Sequence, residues 1–334
     1  MATTLKDIAD RSGVSIKTVS RVLNKEPNVS LDTRERVEQA ASELGYRPNL
    51  AARGLASSKS FLIALLYDDV STSYILNLMN GATEACRAEG YHLVVEPVSN
   101  AKLDSPTAVA RLMRRLNVDG LILTPPLTDN AAILESLDLL GMSAVRLAPM
   151  DVAGAQPSFT VDNRGAAREV VAHLAGLGHT RIGFIKGLAG HSATQERLEG
   201  YRSALGTAGI AFDPALVADG DFTWRSGRSA MAALAPAKPT AVFASNDDMA
   251  AGVLSWAGEA GLRVPDDLAV AGFDDTSLSR ALYPPLTTVG QDVVDMGRRA
   301  VKMLIHPQSR VPETRFDLSL VVRGSTDPSV SETS

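Results

Sequence analysis

From Phe61 onward, short apolar runs alternate with amphipathic segments, and that rhythm predicts most of the fold. FLIALLY precedes a helical pattern over 75–89, HLVVEPV one over 107–116 and GLILTPP one over 131–140, and SAVRLAP closes the series. A second series pairs RIGFIKG with a helix over 193–208 and TAVFASN with one over 249–260, then reaches DLAVAGF. A helix over 293–305 and a strand over 316–322 complete the pattern, and the stretch from Gly324 has little to bury, which predicts a mobile tail. Strands that are apolar throughout and separated by helices predict parallel sheets covered on both faces. About 270 residues is large for one sheet, so the two series predict two similar lobes.

The first fifty residues follow a different period. Thr4 can N-cap a helix whose stripe is Leu5, Ile8 and Ala9, with Asp7 near its positive end, and Gly13 ends it. Ser15 caps a second helix in which Val19, Val22 and Leu23 point inward. Ile16, Lys17, Ser20 and Arg21 are left on the outer face. Ser30 can cap a third helix over 31–44, packed through Val37, Ala40, Ala41 and Leu44 and closed by Gly45 and Pro48. Two helices joined by a glycine-bearing turn, the second with a basic outer face, form the helix-turn-helix pattern that reads a DNA major groove. An ordinary helical hairpin with a solvated face has the same local pattern. RPNLAARGLASSKS then reads either as a flexible linker or, beside a DNA-reading head, as a short helix that folds on contact.

Charge favours the DNA reading. The chain of 334 residues carries a net −5, yet residues 1–59 hold ten Lys/Arg against seven Asp/Glu. A basic head on an acidic body is the asymmetry expected when one part meets phosphates. Plus three is modest, so paired heads are expected. No apolar run approaches a membrane span, and the N-terminus does not read as a signal peptide. One cysteine, Cys86, excludes a disulfide framework and suits a cytoplasmic location; it reads as a small core residue.

Enzyme chemistry is poorly represented. The five histidines fall in separate segments without ligand spacing, so neither a metal nor another cofactor is expected, and no P-loop or G-x-S-x-G elbow occurs. His179 reads as a turn residue. Polar groups do gather at strand ends, where open α/β sheets bind ligands: Ser245, Asn246, Asp247 and Asp248 after TAVFA, and Asp274 and Asp275 after DLAVAGF. Arg197, Phe222, Trp224 and Tyr74 add a guanidinium and aromatic faces. Such a set suits a polyhydroxylated ligand. Asp and Asn at strand ends also serve as helix caps, and Asp247 is expected to be one.

The ordered motifs VSIKTVSRVLN, VSLDTRERV, LGYRPN, AARGLAS, VDNRGA, LGHTRIGFI, RLEGYRSAL, SNDDMAAG, GLRVPDDLAVAGFDD and PPLTTVGQD cover nearly the whole chain. In order and spacing they resemble the LacI family of bacterial transcription regulators. The resemblance implies an α/β architecture: a three-helix helix-turn-helix head over 1–47, a hinge helix over 48–58, and a two-lobed body like a periplasmic sugar-binding protein. Residues 59–160 and 291–318 would form the first lobe, 161–290 and 319–326 the second, and 327–334 the tail.

By matched position, Ile16, Lys17 and Arg21 resemble base-reading residues. Ser15, Thr18, Asn24 and Ser30 resemble phosphate-side contacts. Ala52 lies in the hinge, and Leu55 matches the leucine that wedges into the minor groove. In the body, Arg197, Asn246 and Asp274 match effector contacts, Phe222 a stacking aromatic, Gln291 a pocket residue and Tyr74 a first-lobe contact. Arg146 occupies a position near the pocket that is usually not arginine; it could meet an acidic sugar or an internal carboxylate. The implied protein is a homodimeric repressor on a double-stranded, pseudo-palindromic DNA operator, released by a sugar or sugar derivative. A purine co-repressor between Phe222 and Tyr74, a solute-binding protein and a sugar-modifying enzyme are the alternatives.

Overall fold

The computed structural model describes residues 3–23, 29–46, 59–68, 71–152, 154–306, 308 and 311–330. The chain divides into a unit ending at Phe61 and one beginning at Leu62.

The first unit holds α1 (Leu5–Ser12), α2 (Ile16–Leu23) and α3 (Leu31–Glu43). Local chemistry sets each boundary. Thr4 Oγ1 accepts from the Asp7 amide, and Asp7 accepts in return from the Thr4 amide at 2.8 Å, so two orphan donors are satisfied together. Gly13 takes the left-handed conformation, φ 70°, that ends α1. Ser15 Oγ accepts from the Thr18 amide at 3.1 Å, and Ser30 Oγ from the Thr33 amide at 3.3 Å. Ile8, Ala9, Val19, Val22, Val37, Ala40 and Ala41 form the small core, and Arg11 pairs with Glu43 at 2.7 Å.

The second unit contains two parallel sheets. The first runs in the order β11 (Glu313–Phe316), β5 (Ser158–Val161), β4 (Ala144–Leu147), β3 (Gly120–Leu123), β1 (Leu62–Tyr67), β2 (His92–Pro97). The second runs β7 (Val217–Ala218), β6 (Ile182–Ile185), β8 (Ala241–Ala244), β9 (Ala269–Ala271). Backbone bonds from Gly272 to Thr287 and from Asp274 to Val289 place β10 (Thr288–Gly290) beside the end of β9, and β12 (Ser319–Val321) pairs antiparallel with β10.

Both faces of the second sheet are dry. Ile182, Phe184, Ala241 and Phe243 enter one core, and Ile185, Val242 and Ala244 enter the other, so alternate residues of one strand serve opposite layers. Helices cover them: α7 (Asn163–Gly176) and α8 (Ser192–Thr207) on the first face, α9 (Trp224–Leu234) and α10 (Asp247–Glu259) on the second. The first lobe uses α4 (Thr72–Glu89), α5 (Pro106–Leu116), α6 (Ala131–Leu140) and α12 (Val293–Ile305), while α11 (Ser277–Ala281) follows β9. Helices α4 and α12 meet at backbone distance: a Cβ on Gly81 would lie 1.8 Å from the Val294 carbonyl oxygen, and one on Gly297 2.3 Å from that of Leu78. The chain passes between the sheets after β5, after β10 and after β11.

Several expectations change. The strand read over 316–322 is two strands in different sheets, because the chain crosses the lobes at 317–318. Helix α4 starts at Thr72, three residues earlier than its apolar pattern, because Ser71 supplies the cap. Helices α7 and α9 are not part of the alternation read from the sequence, which places no helix over 163–176 or 224–234. The residue capping α10 is Asn246, whose Oδ1 accepts from the Met249 amide at 3.0 Å; Asp247 instead accepts from Thr276 and Thr288. Cys86, by contrast, is the fully buried core thiol that its helical run predicts.

Candidate functional site

Two regions carry the residues singled out from the sequence. In the head, Val19 and Val22 turn inward on α2 while Ile16 and Lys17 are exposed and Thr18, Ser20 and Arg21 are half-buried. Ile16 leaves about half its surface open at the first turn of this helix (49%). Ser15 and Ser30 both cap helices through their hydroxyls, which sets the two helix starts in place. Asn24, Ala52 and Leu55, with the whole hinge segment 48–58, lie outside the described residues.

In the body, a cavity of about 80 Å³ opens between the lobes, lined by Tyr74, Arg197, Phe222, Asp274 and Gln291 among others. The second lobe supplies its polar wall. Arg197, on α8, is 5% exposed; its Nε donates to Asn163 Oδ1 at 3.0 Å, one terminal nitrogen donates to the Ser245 carbonyl, and its guanidinium lies 3.4 Å above the Phe273 ring. Burial pulls its pKa down, and the facing Asp274 resists. Asp274 accepts from Gln291 Nε2 at 2.6 Å. Burial pushes its carboxyl up to about 8; the Arg197 cation opposes this, and Asp247 reinforces it.

Backbone geometry aims these groups. Asp274 and Asp275 have φ of 110° and 44°, a conformation costly for residues with a Cβ. Asp247 holds the turn by accepting from the Thr276 amide and hydroxyl and from Thr288 Oγ1 at 2.6 Å, and burial pushes its own carboxyl up to about 6. Asp275 turns away to Arg323 and Arg280. Phe222 also has a left-handed φ, 67°, and its ring packs directly over Gly187, where any Cβ would lie 2.0 Å from Cζ. The His191 ring stands 5.5 Å from it, tilted by 54°.

The first lobe contributes Ser71, Tyr74, Pro125 and Ala148 from segments that follow β1, β3 and β4. Burial pushes the Tyr74 phenol well above its ordinary value, and the nearby Asp274 adds to the effect.

Two expected pocket residues sit elsewhere. Asn246 does not line the cavity: its Oδ1 caps α10 and its Nδ2 donates to the Phe222 carbonyl at 2.9 Å, so it positions the aromatic. Arg146, 3% exposed, is tied to the internal carboxylate Asp129 at 3.1 Å and to the carbonyls of Thr128 and Asp151. Its guanidinium is thus met by an internal carboxylate and two carbonyls. Asn163, His191 and Ser71 line the cavity without having been singled out. Asn163 belongs to the VDNRGA motif, whereas a lone histidine such as His191 carries no spacing signal; no cluster of His, Cys, Asp or Glu among the described residues could hold a metal.

A helix-turn-helix head on a two-lobed body with a ligand-sized cleft defines a DNA-binding transcription regulator built on a periplasmic-binding-protein scaffold. The comparisons agree. Residues 4–49 match the family model for bacterial regulatory proteins of the lacI family, and residues 171–326 match the periplasmic binding protein-like domain. The HTH-type transcriptional repressor CytR of Escherichia coli (strain K12) is 36% identical over 97% of this chain and 96% of its own. The crystal structure of the lac repressor dimer bound to operator and the anti-inducer ONPF superposes with a TM-score of 0.79 at 32% identity, over 98% of this chain and 99% of that one. A complex of the transcriptional regulator CelR with cellobiose gives 0.70 at 32% identity, over 97% and 99%. This chain belongs to the LacI family. Its relatives are transcription regulators and not enzymes, and among the described residues no helix is long and apolar enough to cross a membrane.

Proposed function

We propose that this protein is a homodimeric repressor whose two α2 helices read a pseudo-palindromic operator and whose affinity for DNA is set by a small polyhydroxylated ligand in the inter-lobe cavity. The observation that carries the reading is the joining, on one chain, of an outward basic helix to a cavity holding a buried Arg197, a buried Asp274, Asn163 and Gln291 beside the Phe222 ring. Such a wall offers donors, acceptors and an apolar face, as a sugar ring requires. The likeness to a cellobiose complex and to an operator-bound dimer supports the same reading. Lys17 and Arg21 would contact base edges, Ser15, Thr18 and Ser30 phosphates, and Leu55 the operator centre. Ligand binding would change the lobe orientation across the dimer and weaken operator binding, a coupling of about 1–3 kcal/mol.

A heteroaromatic base is the second reading, favoured by the aromatic lining of Phe222, His191 and Tyr74. Calorimetry against a panel of monosaccharides, sugar phosphates and nucleosides separates the two. Fluorescence anisotropy on operator fragments selected by the protein then reads release or recruitment. Arg21→Ala should lose about 1–3 kcal/mol per half-site on the selected operator and far less on random duplex; equal losses on both would reduce Arg21 to a backbone contact.

A further inference from the structure

Ser71 and Ser73 stand at the start of α4 in the first lobe, and Asp248 stands in the first turn of α10 in the second. Ser71 Oγ donates to Asp248 Oδ2 at 2.5 Å, and Ser73 Oγ donates to Asp248 Oδ1 at 3.3 Å. Each carboxylate oxygen thus takes one hydroxyl from across the cleft. Ser71 serves three times, because its Oγ also accepts from the Tyr74 amide at 3.4 Å and the residue lines the cavity. A further cross-lobe bond, Ser192 Oγ to the Ala148 carbonyl at 2.9 Å, joins the start of α8 to the segment after β4.

The electrostatics point the same way. Helices α4 and α10, of 18 and 13 residues, both present N-terminal ends here, and each end carries positive partial charge. Two such ends brought together repel. One carboxylate placed between them offsets both, and only while the lobes are closed.

We propose that Asp248 is an inter-lobe positioning residue: bonded to Ser71 and Ser73, it holds the lobes closed and so holds Tyr74 over whatever occupies the cavity. It touches no ligand itself, since it does not line the cavity. Opening breaks both bonds while leaving each lobe's own core intact, so the contact shifts the closed-to-open ratio and not the fold. Apparent ligand affinity then scales with the closed fraction. This step rests on the reading of the cavity as the effector site.

The test reads closure without any ligand. Cysteines at the exposed positions Glu135 on α6 and Ser203 on α8 carry spin labels, one on each lobe. Cys86 is buried with its thiol pushed up to about 11 by burial, so it does not compete for label. In the labelled full-length protein, Asp248→Ala should move the open-to-closed ratio by at least about fivefold toward open, since it removes two hydrogen bonds, each worth about that factor. Ser73→Ala should do less, and adding Ser73→Ala to Asp248→Ala should change nothing further. Asp248→Asn, which keeps one acceptor and loses the charge, should fall between parent and alanine. An unchanged distance distribution in Asp248→Ala and Asp248→Asn, or strictly additive effects with Ser73→Ala, overturns the latch. A cleft that opens in these variants while no sugar or nucleoside binds the parent leaves the latch standing and removes the effector reading.

Discussion

The two walls of the cavity are built on opposite principles. The second-lobe wall is polar, buried and braced: Arg197 is pinned by Asn163, the Ser245 carbonyl and the Phe273 ring, Asp274 by Gln291 at the crossover after β10, and the Phe222 backbone by Asn246. The first-lobe wall offers Pro125 and Ala148 with the single phenol of Tyr74, from segments whose main cross-cleft ties are serine hydroxyls. A braced wall has spent its ordering entropy during folding, so it can read hydroxyls and charges at little further cost. The looser apolar wall cannot discriminate polar groups but can close over them. Recognition is expected to reside in the second lobe and closure in the first.

Arg197→Ala strikes the braced wall hardest. It leaves Asn163 Oδ1 and the Ser245 carbonyl without their donors and Asp274 without its facing cation, so ligand affinity should fall by about 100-fold or more in calorimetry. A fall of only a few-fold would remove the asymmetry between the walls.

Asp274 sharpens the comparison through pH. Its carboxyl, ordinarily near 3.8, is pushed to about 8, so the folded state holds a proton that the unfolded chain has released. Its contribution to stability is present below the ordinary value and is lost as pH rises through about 8. A ligand hydroxyl that donates to Asp274 selects the ionised form, so affinity should rise with pH toward 8 by up to about tenfold per unit and then level off. Asp274→Asn should flatten both the stability and the affinity profiles. A parental slope surviving in that variant would assign the proton to another group.

Gly187→Ala tests whether the aromatic face is placed by backbone. Its methyl group would need the space of the Phe222 ring, which must leave, so the loss should match that of Phe222→Ala, about tenfold for a stacked ring. The double variant should be no weaker than either single one; an additive loss would separate the two positions. Tyr74→Phe is the mildest change, removing one hydroxyl from the closing wall. About two- to threefold in affinity is expected, and a loss as large as that of Arg197→Ala would make the first lobe a reader.

What could be read from the chain alone was whatever neighbouring residues decide among themselves. Thr4 with Asp7, Gly13, Ser15 and Ser30 set the head helices through bonds spanning three or four positions, and α2 needed only its 3.6-residue period to show which face turns outward. Continuous apolar runs likewise announced parallel strands buried on both faces. Arg197, Phe222, Asp274, Gln291 and Tyr74 came from motif position, and the fold brings them to one cavity.

Tertiary structure decided which partner each polar group takes. Asn246 and Asp247 are adjacent in a strand-end motif, yet one caps a helix and holds Phe222 while the other anchors the Asp274 turn from Thr276 and Thr288. Arg146 could have faced a ligand; the fold delivers Asp129 and two carbonyls first. The last apolar run looked like one strand, but its two halves find hydrogen-bond partners in different sheets. Ser71 and Asp248, 177 positions apart, meet only because the lobes close. A buried donor or acceptor must be satisfied by whatever the packed chain places within reach, and that choice is made in space and not along the sequence.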